Sequence, residues 1–411
     1  MRRLTHSLLF VFVFTIPWEY SLDLGAPLGN IARIAGLLLL AAAIPAALEA
    51  GGIRRLVPFH WLVLILYLWL CCSIFWTADV SVTVEKLRGY FQEMMIVGLI
   101  WEFVEDQRSL RAVLRAWLAG SWVLAILTVV NFLSALYLAA TQVRFVPVNQ
   151  DPNDVARFLA LGFPVAALLL QAERNRLVRL IALGYFIVGL AAVLLTGSRG
   201  GLVAVFVALA GCAVLLMHSA PRQVLKAALF LPFIAAILWF TVPLQTYERM
   251  ATLLSQLQGG DLNQRTGIWA FGWQAFAQAP LIGHGVGTFV LAAGLAFIDT
   301  AHNTGLSILV EDGLVGFALA LAIVVAAFGM AFRATGAQRL VFLTLLATWA
   351  VSAQVGTVAE SRTTWLMFGV IAVAARLDTQ NVPWRVSSDS VQDSEFSTSQ
   401  PRVPRAFVAG P

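Results

Sequence analysis

The chain has 411 residues, 60% of them hydrophobic and only 12% charged, with a mean hydropathy of +0.82 and a formal net charge of +5. Soluble domains hold about 45–50% apolar and about 25% charged residues, so a soluble enzyme is excluded and a polytopic membrane protein is indicated. Apolar runs of about 20 residues recur and alternating ten-residue strands are absent, so the expected fold class is all-α and not a β-barrel.

Taken in order, the sequence predicts twelve spans, at roughly 7–21, 31–48, 57–76, 88–104, 112–137, 155–171, 178–196, 201–217, 225–243, 303–332, 338–357 and 363–377. Met1-Arg2-Arg3 before Leu8–Ile16 looks like a signal sequence, but Pro17-Trp18-Glu19 follows where a small-residue cleavage site would stand. The segment therefore reads as a retained first helix. With Arg2 and Arg3 inside, about 18 of the 27 Lys and Arg fall in inside segments, as the positive-inside rule requires. These segments carry Arg54/Arg55, Arg108/Arg111/Arg115, Arg174/Arg176/Arg179, Arg222/Lys226, Arg333/Arg339, and Arg376 with the tail arginines. Both termini are then cytoplasmic.

The outer segments are 18–30, 77–87, 139–154, 196–201, 244–302 and 359–362. The long loop 244–302 holds a turn at Gln258-Gly259-Gly260-Asp261 and a short helix over 264–278 stopped by Pro280. Ile268, Trp269, Phe271, Trp273 and Phe276 suit that helix to the membrane interface. Gly283-His284-Gly285-Val286-Gly287 reads as a flexible turn. The Ser-, Pro- and Gln-rich residues 379–411 read as a disordered cytoplasmic tail. Cys71, Cys72 and Cys212 lie inside spans without a C-x-x-C pair, so neither a disulfide nor a zinc site is expected.

Candidate chemistry collects in the outer segments. Arg199 sits in Thr196-Gly197-Ser198-Arg199-Gly200-Gly201. Ser198 can cap the next helix, Gly200 and its neighbours allow backbone to approach a ligand, and a helix N-terminus favours phosphate. An arginine snorkelling to headgroups fits the same turn. Arg265 opens the loop helix, where a guanidinium can hold phosphate oxygens bidentately, although a plain surface arginine fits as well. His302 stands at the outer mouth of an apolar helix, beside Asn303, and imidazole suits a general base near neutral pH. A structural histidine at a helix start is the alternative. His284 competes less well because glycines flank it.

Asn149-Gln150-Asp151-Pro152-Asn153-Asp154 precedes the sixth span, where Asn153 or Asp154 can cap. Arg144 and Arg157 flank it and can position a charged headgroup. Glu311 and Asp312 are costly inside a bilayer and are functional by default. Glu311 is nine residues from His302 and so on the opposite helix face; an arginine of a neighbouring helix is its expected partner. Arg33 and Glu93 are further candidates for buried charge.

These segments together resemble the O-antigen ligase and polymerase superfamily. The resemblance rests on Asn149-Gln-Asp-Pro-Asn-Asp-Val-Ala, Thr196-Gly-Ser-Arg-Gly-Gly-Leu, Arg265-Thr-Gly-Ile-Trp with Pro280-Leu-Ile-Gly-His-Gly-Val-Gly-Thr-Phe, and His302-Asn-Thr-Gly-Leu-Ser-Ile-Leu-Val-Glu-Asp-Gly-Leu-Val-Gly. It covers roughly residues 140–330. It implies a transmembrane transferase domain over 1–378, acting at the periplasmic face of the bacterial inner membrane. The donor would be a glycan on undecaprenyl diphosphate, and the acceptor lipid A-core or another glycan. The resemblance assigns diphosphate contacts to Arg199 and Arg265 and an essential role to His302. It implies no metal or other cofactor, and no nucleic-acid partner is expected. Direct displacement would invert the anomeric centre. A polymerase with the same donor is the near alternative. A metal-dependent transferase using Glu19 and Asp23, and a transporter or flippase lined by Arg33, Arg157 and Glu311, are the distant ones.

Overall fold

The computed structural model describes residues 2–25, 28–137, 144–219, 236, 239, 242–252, 255, 260, 264–296 and 300–379. Within these the chain is a bundle of helices with no strand beyond an isolated Asp23–Asn30 bridge. The first half gives α1 (Arg2–Thr15), α2 (Ile31–Glu49), α3 (Pro58–Cys72), α4 (Val80–Phe103), α5 (Gln107–Tyr137), α6 (Pro152–Ala172), α7 (Arg176–Leu195) and α8 (Arg199–Ser219). The loop contains α9 (Leu244–Ala251), α10 (Arg265–Gln278) and α11 (Phe289–Ala292). Then come α12 (Thr304–Arg333), α13 (Gly336–Val355) and α14 (Arg362–Thr379). Eight helical stretches among the described residues are long and apolar enough to cross a membrane. The chain is therefore an all-α polytopic membrane protein, as composition indicated. The predicted span at 225–243, the 258–261 turn and the tail beyond Thr379 lie largely outside the described residues.

Two helices carry the core. Every residue of α6 from Val155 to Leu169 is buried, as is every residue of α14 from Thr363 to Ala374. α6 packs against α5, α7, α8 and α13, whereas α14 packs against α4 and α12. Small residues let these helices close up. A Cβ on Gly201 would stand 2.2 Å from that of Ala156, and one on Gly200 would stand 2.8 Å from Val355.

Polar contacts between segments gather at the two ends of the bundle. At one end Arg115 holds Glu173 through two bonds of 2.8 and 2.6 Å, Arg2 meets Glu105 at 3.0 Å, and Arg376 stacks on Trp101. At the other, Arg362 pairs with Glu19, Lys86 with Glu360, and Gln150 donates to Ser21 at 2.7 Å. The first set comes from segments read as inside and the second from segments read as outside.

α12 is broken. Gly313 has φ of +67°, and the irregular segment 280–285 enters the gap. Leu314 N–H donates to the Pro280 carbonyl at 2.9 Å, His284 N–H to Val310 at 2.9 Å, and Gly285 N–H to Glu311 at 2.8 Å. Irregular backbone at membrane depth survives only where protein completes its hydrogen bonds, and this segment does that. The Gly283–Gly287 stretch is therefore a bonded plug and not the flexible turn expected.

Candidate functional site

The outer end brings Arg144, Arg157, Arg199 and Arg265 into one region. Local capping explains how. Asp151, and not Asn153 or Asp154, caps α6, accepting from the N–H groups of Asn153 at 2.7 Å and Asp154 at 3.3 Å. That frees the Asn153 side chain to bridge. Its Oδ1 accepts from Arg144 at 3.0 Å and from the Ser198 hydroxyl at 2.8 Å. Ser198 in turn caps α8, its Oγ accepting from Gly201 N–H at 3.1 Å, as the sequence predicted. Arg144 also donates to the Thr196 carbonyl at 3.0 Å, and Arg199 donates to Thr252 at 3.0 Å.

A fifth arginine, Arg249 of α9, joins them by donating to the Gly197 carbonyl at 3.1 Å. Sequence reading missed it; it lies in a short helix between stretches that carry the motifs. Among the described residues the carboxylates that act on this group are Asp151 and Asp154, and Asp154 is paired with Arg157. Positive charge is thus in excess. Burial, reinforced by Arg249, Arg265 and Arg199, pushes the Arg144 guanidinium down to about 10. Burial and the neighbouring Arg157 and Arg199 also lower Arg265. Such crowding stores repulsion that an anion relieves.

The start of α12 abuts this cluster through the 356–361 turn. Arg157 lies over Gly356 so closely that a Cβ there would fall 1.3 Å from its terminal nitrogen. Thr304 donates to the Gly356 carbonyl at 2.7 Å, and Asn303 reaches the Gln354 carbonyl at 3.4 Å. Asn303 also caps α12 through Leu306 N–H at 2.9 Å. His302 is half-buried at φ +46°, its Nδ1 3.2 Å from the Thr300 hydroxyl. Among the described residues the other non-glycine positions at positive φ are Asn149 and Gln264, in the segments leading to α6 and α10. Backbone held in that region costs about 1–3 kcal/mol per residue and concentrates at functional sites. Helix α10 reaches the same place, since the Trp269 indole donates to the Ala301 carbonyl at 3.0 Å.

Below this turn lies an apolar cavity of about 240 Å³, bounded by Leu70, Thr304, Ile308, Val324, Trp349 and Gln354 among others. Its upper lining, Thr304 and Gln354, is also the lining next to Asn303 and Arg157.

Several candidates lie elsewhere or act differently. Glu311 does not meet an arginine. It accepts from Gly287 N–H at 2.7 Å and from the Ser307 hydroxyl at 3.2 Å, and its charged neighbours are Glu360 and Lys86. Gly200 serves helix packing against Val355 and not approach to a ligand. Glu19 is engaged by Arg362, and Asp23 accepts from Gly25 N–H at 3.0 Å. His284 is structural, with Nε2 2.8 Å from the Ala275 carbonyl. Arg33 is exposed, whereas Glu93 is buried.

A search of curated proteins finds no match. A solved structure described as "Structural coordination of polymerization and crosslinking by a peptidoglycan synthase complex" is similar at 16% identity with a TM-score of 0.43, covering 77% of this chain and 96% of that one. Residues 184–321 match the family model described as O-antigen ligase. That stretch runs from α7 across the loop and past the break in α12, and includes Arg199, Arg249, Arg265 and His302. Over that stretch the chain is similar to the O-antigen ligase family, which implies a ligase or polymerase of the glycosyltransferase kind.

Proposed function

We propose that the protein transfers a glycan from undecaprenyl diphosphate to lipid A-core at the periplasmic face of the inner membrane. The observation that carries this reading is the crowding of five arginines beside the His302 turn, directly above an apolar cavity. A lipid diphosphate has the complementary shape: two phosphates for the guanidiniums and an isoprenoid chain for the cavity. The helix N-termini of α6 and α8, tied through Asn153 and Ser198, add dipoles of the favourable sign.

The acceptor hydroxyl attacks the anomeric carbon, its proton passes to the His302 imidazole, and the bond to the diphosphate oxygen breaks. Charge growing on that oxygen is stabilised by Arg199, Arg265 and Arg249. Diphosphate is already a good leaving group, so no general acid is required, and the displacement inverts the anomeric centre. Arg144 and Arg157 hold the headgroup, with Asn153, Ser198 and Asn303 fixing the helix starts around it.

The test is transfer to purified lipid A-core by detergent-solubilised protein. His302→Ala is expected to lower the rate about 10²–10⁴-fold and Arg265→Ala about 10²–10³-fold, both remaining folded. Lengthening of the lipid-linked glycan instead of conjugate formation would make the enzyme a polymerase with the same site. Full activity in His302→Ala would remove the base from the mechanism.

A further inference from the structure

A second outer-end cavity, of about 300 Å³, has the opposite character to the arginine cluster. Tyr20, Glu85, Lys86, Tyr90, Glu93 and Glu360 line it, so three carboxylates face one ammonium. Lys86 is already paired with Glu360. The cavity follows α4 from Val82 to Glu93, ~16 Å of helix at 1.5 Å per residue. It is a polar funnel running inward from the outer mouth. At its deep end Glu93 is only 8% exposed, yet its Oε2 has no hydrogen-bond partner. Buried carboxylate oxygens are nearly always satisfied, so an unpartnered one on a residue that lines a cavity points to a ligand donor that would complete it.

The funnel adjoins the candidate site. Tyr90 lines both it and the apolar cavity, and Glu360 directly follows Ala359 of that cavity and stands four residues after Gly356, which seats Arg157. The 356–361 turn therefore has an anion-binding face on one side and an acidic funnel on the other. A displacement needs its nucleophile delivered from a direction other than that of the leaving group.

We propose that this funnel is the acceptor subsite and that it takes a sugar residue bearing no acidic group. The inference rests on the transferase reading above. Carboxylates accept from neighbouring sugar hydroxyls, the tyrosine hydroxyls and the Lys86 ammonium supply donors, and the half-exposed Tyr20 ring offers an apolar face. The volume is at the low end for small-ligand pockets, ~300 Å³. Excess negative charge repels phosphate or uronate. A metal ion fits less well, because among the described residues no three His, Cys, Asp or Glu side chains stand close enough to share one. The phosphorylated parts of an acceptor would thus stay outside, with only a neutral or amine-bearing sugar entering.

The experiment has two arms. In the transfer assay, Glu93→Gln and Glu85→Gln are expected to raise the acceptor KM at least fivefold while the donor KM stays within twofold. Arg265→Ala should do the reverse. Equal effects on both substrates, or none, would overturn the assignment. The second arm needs no turnover: saturation-transfer NMR of the full chain with glucose, glucosamine and glucose 6-phosphate. Wild type should bind the first two and not the third, and Glu93→Gln, with an unchanged Tm, should lose both. Equal binding of glucose 6-phosphate, or no binding of any sugar, would sink the proposal. Sugar binding without any transfer would keep the subsite and reject the transferase reading.

Discussion

At the scale of single residues, the arginine cluster makes the most direct predictions. Arg144 is pushed down to about 10 by burial and by Arg249, Arg265 and Arg199. Its folded value lies below the ordinary 12.5, so the protonated form is disfavoured by the fold and an anion nearby removes part of that penalty. Inorganic pyrophosphate should therefore raise the Tm at pH 7.5, where Arg144 is charged. The increment should shrink as pH rises through 10 and in high salt, which screens exposed charge. Arg265→Ala should reduce it at every pH. An increment indifferent to that substitution and to salt would mean that pyrophosphate binds elsewhere. Gly356 gives a second test, because its role is set by space: any Cβ would stand 1.3 Å from the Arg157 guanidinium. Gly356→Ala should displace Arg157 and raise the donor KM about tenfold, roughly 1.4 kcal/mol of lost headgroup binding, with little change in acceptor KM. Steady-state kinetics with each substrate varied separately decides it.

At the scale of elements, the break in α12 couples the loop to the bundle. Gly313 combines φ of +67° with a Cβ position 2.3 Å from the Leu281 carbonyl oxygen. A side chain there meets both backbone strain and a backbone clash, and no rotamer relieves either. Gly313→Ala should cost more than about 2 kcal/mol and release segment 280–285 from its bonds to Val310 and Glu311. Hydrogen exchange should rise at Gly283, His284 and Gly285 before it rises in α6. This break shows where sequence reading stops. Helix positions were legible because each apolar run had to be about 20 residues long. Ser198 as a cap and Pro280 as a helix stop were legible because their chemistry is local. The plug was not: Gly313 sits inside an apolar run that scans as one helix, and only the partner segment explains it. Arg249 was hidden for a similar reason, since its value lies in reaching the Gly197 carbonyl 52 residues away in sequence. Glu311 misled because a buried acid suggests an arginine partner, whereas backbone N–H and Ser307 complete it.

At the scale of the whole molecule, the two ends of the bundle differ in kind. Arginines paired one-to-one with acids or stacked on Trp101 stand at one end, consistent with a structural and orienting role. The other end carries the five-arginine cluster, the His302 turn and the acidic funnel. Charge bias alone predicts that the first end faces the cytoplasm. The transferase reading then places the second end where lipid-linked glycans are delivered. Single cysteines test the orientation, with Cys71, Cys72 and Cys212 replaced beforehand. Val148 and Ile53 are each 70% exposed, the first beside the arginine cluster and the second in the α2–α3 connection. In right-side-out spheroplasts, Val148→Cys should react with a membrane-impermeant maleimide at once. Ile53→Cys should react only after the membrane is opened. The reverse pattern would turn the arginine cluster toward the cytoplasm, where an outer-face acceptor could not reach it, and the proposed reaction would fail on topology before any kinetic assay.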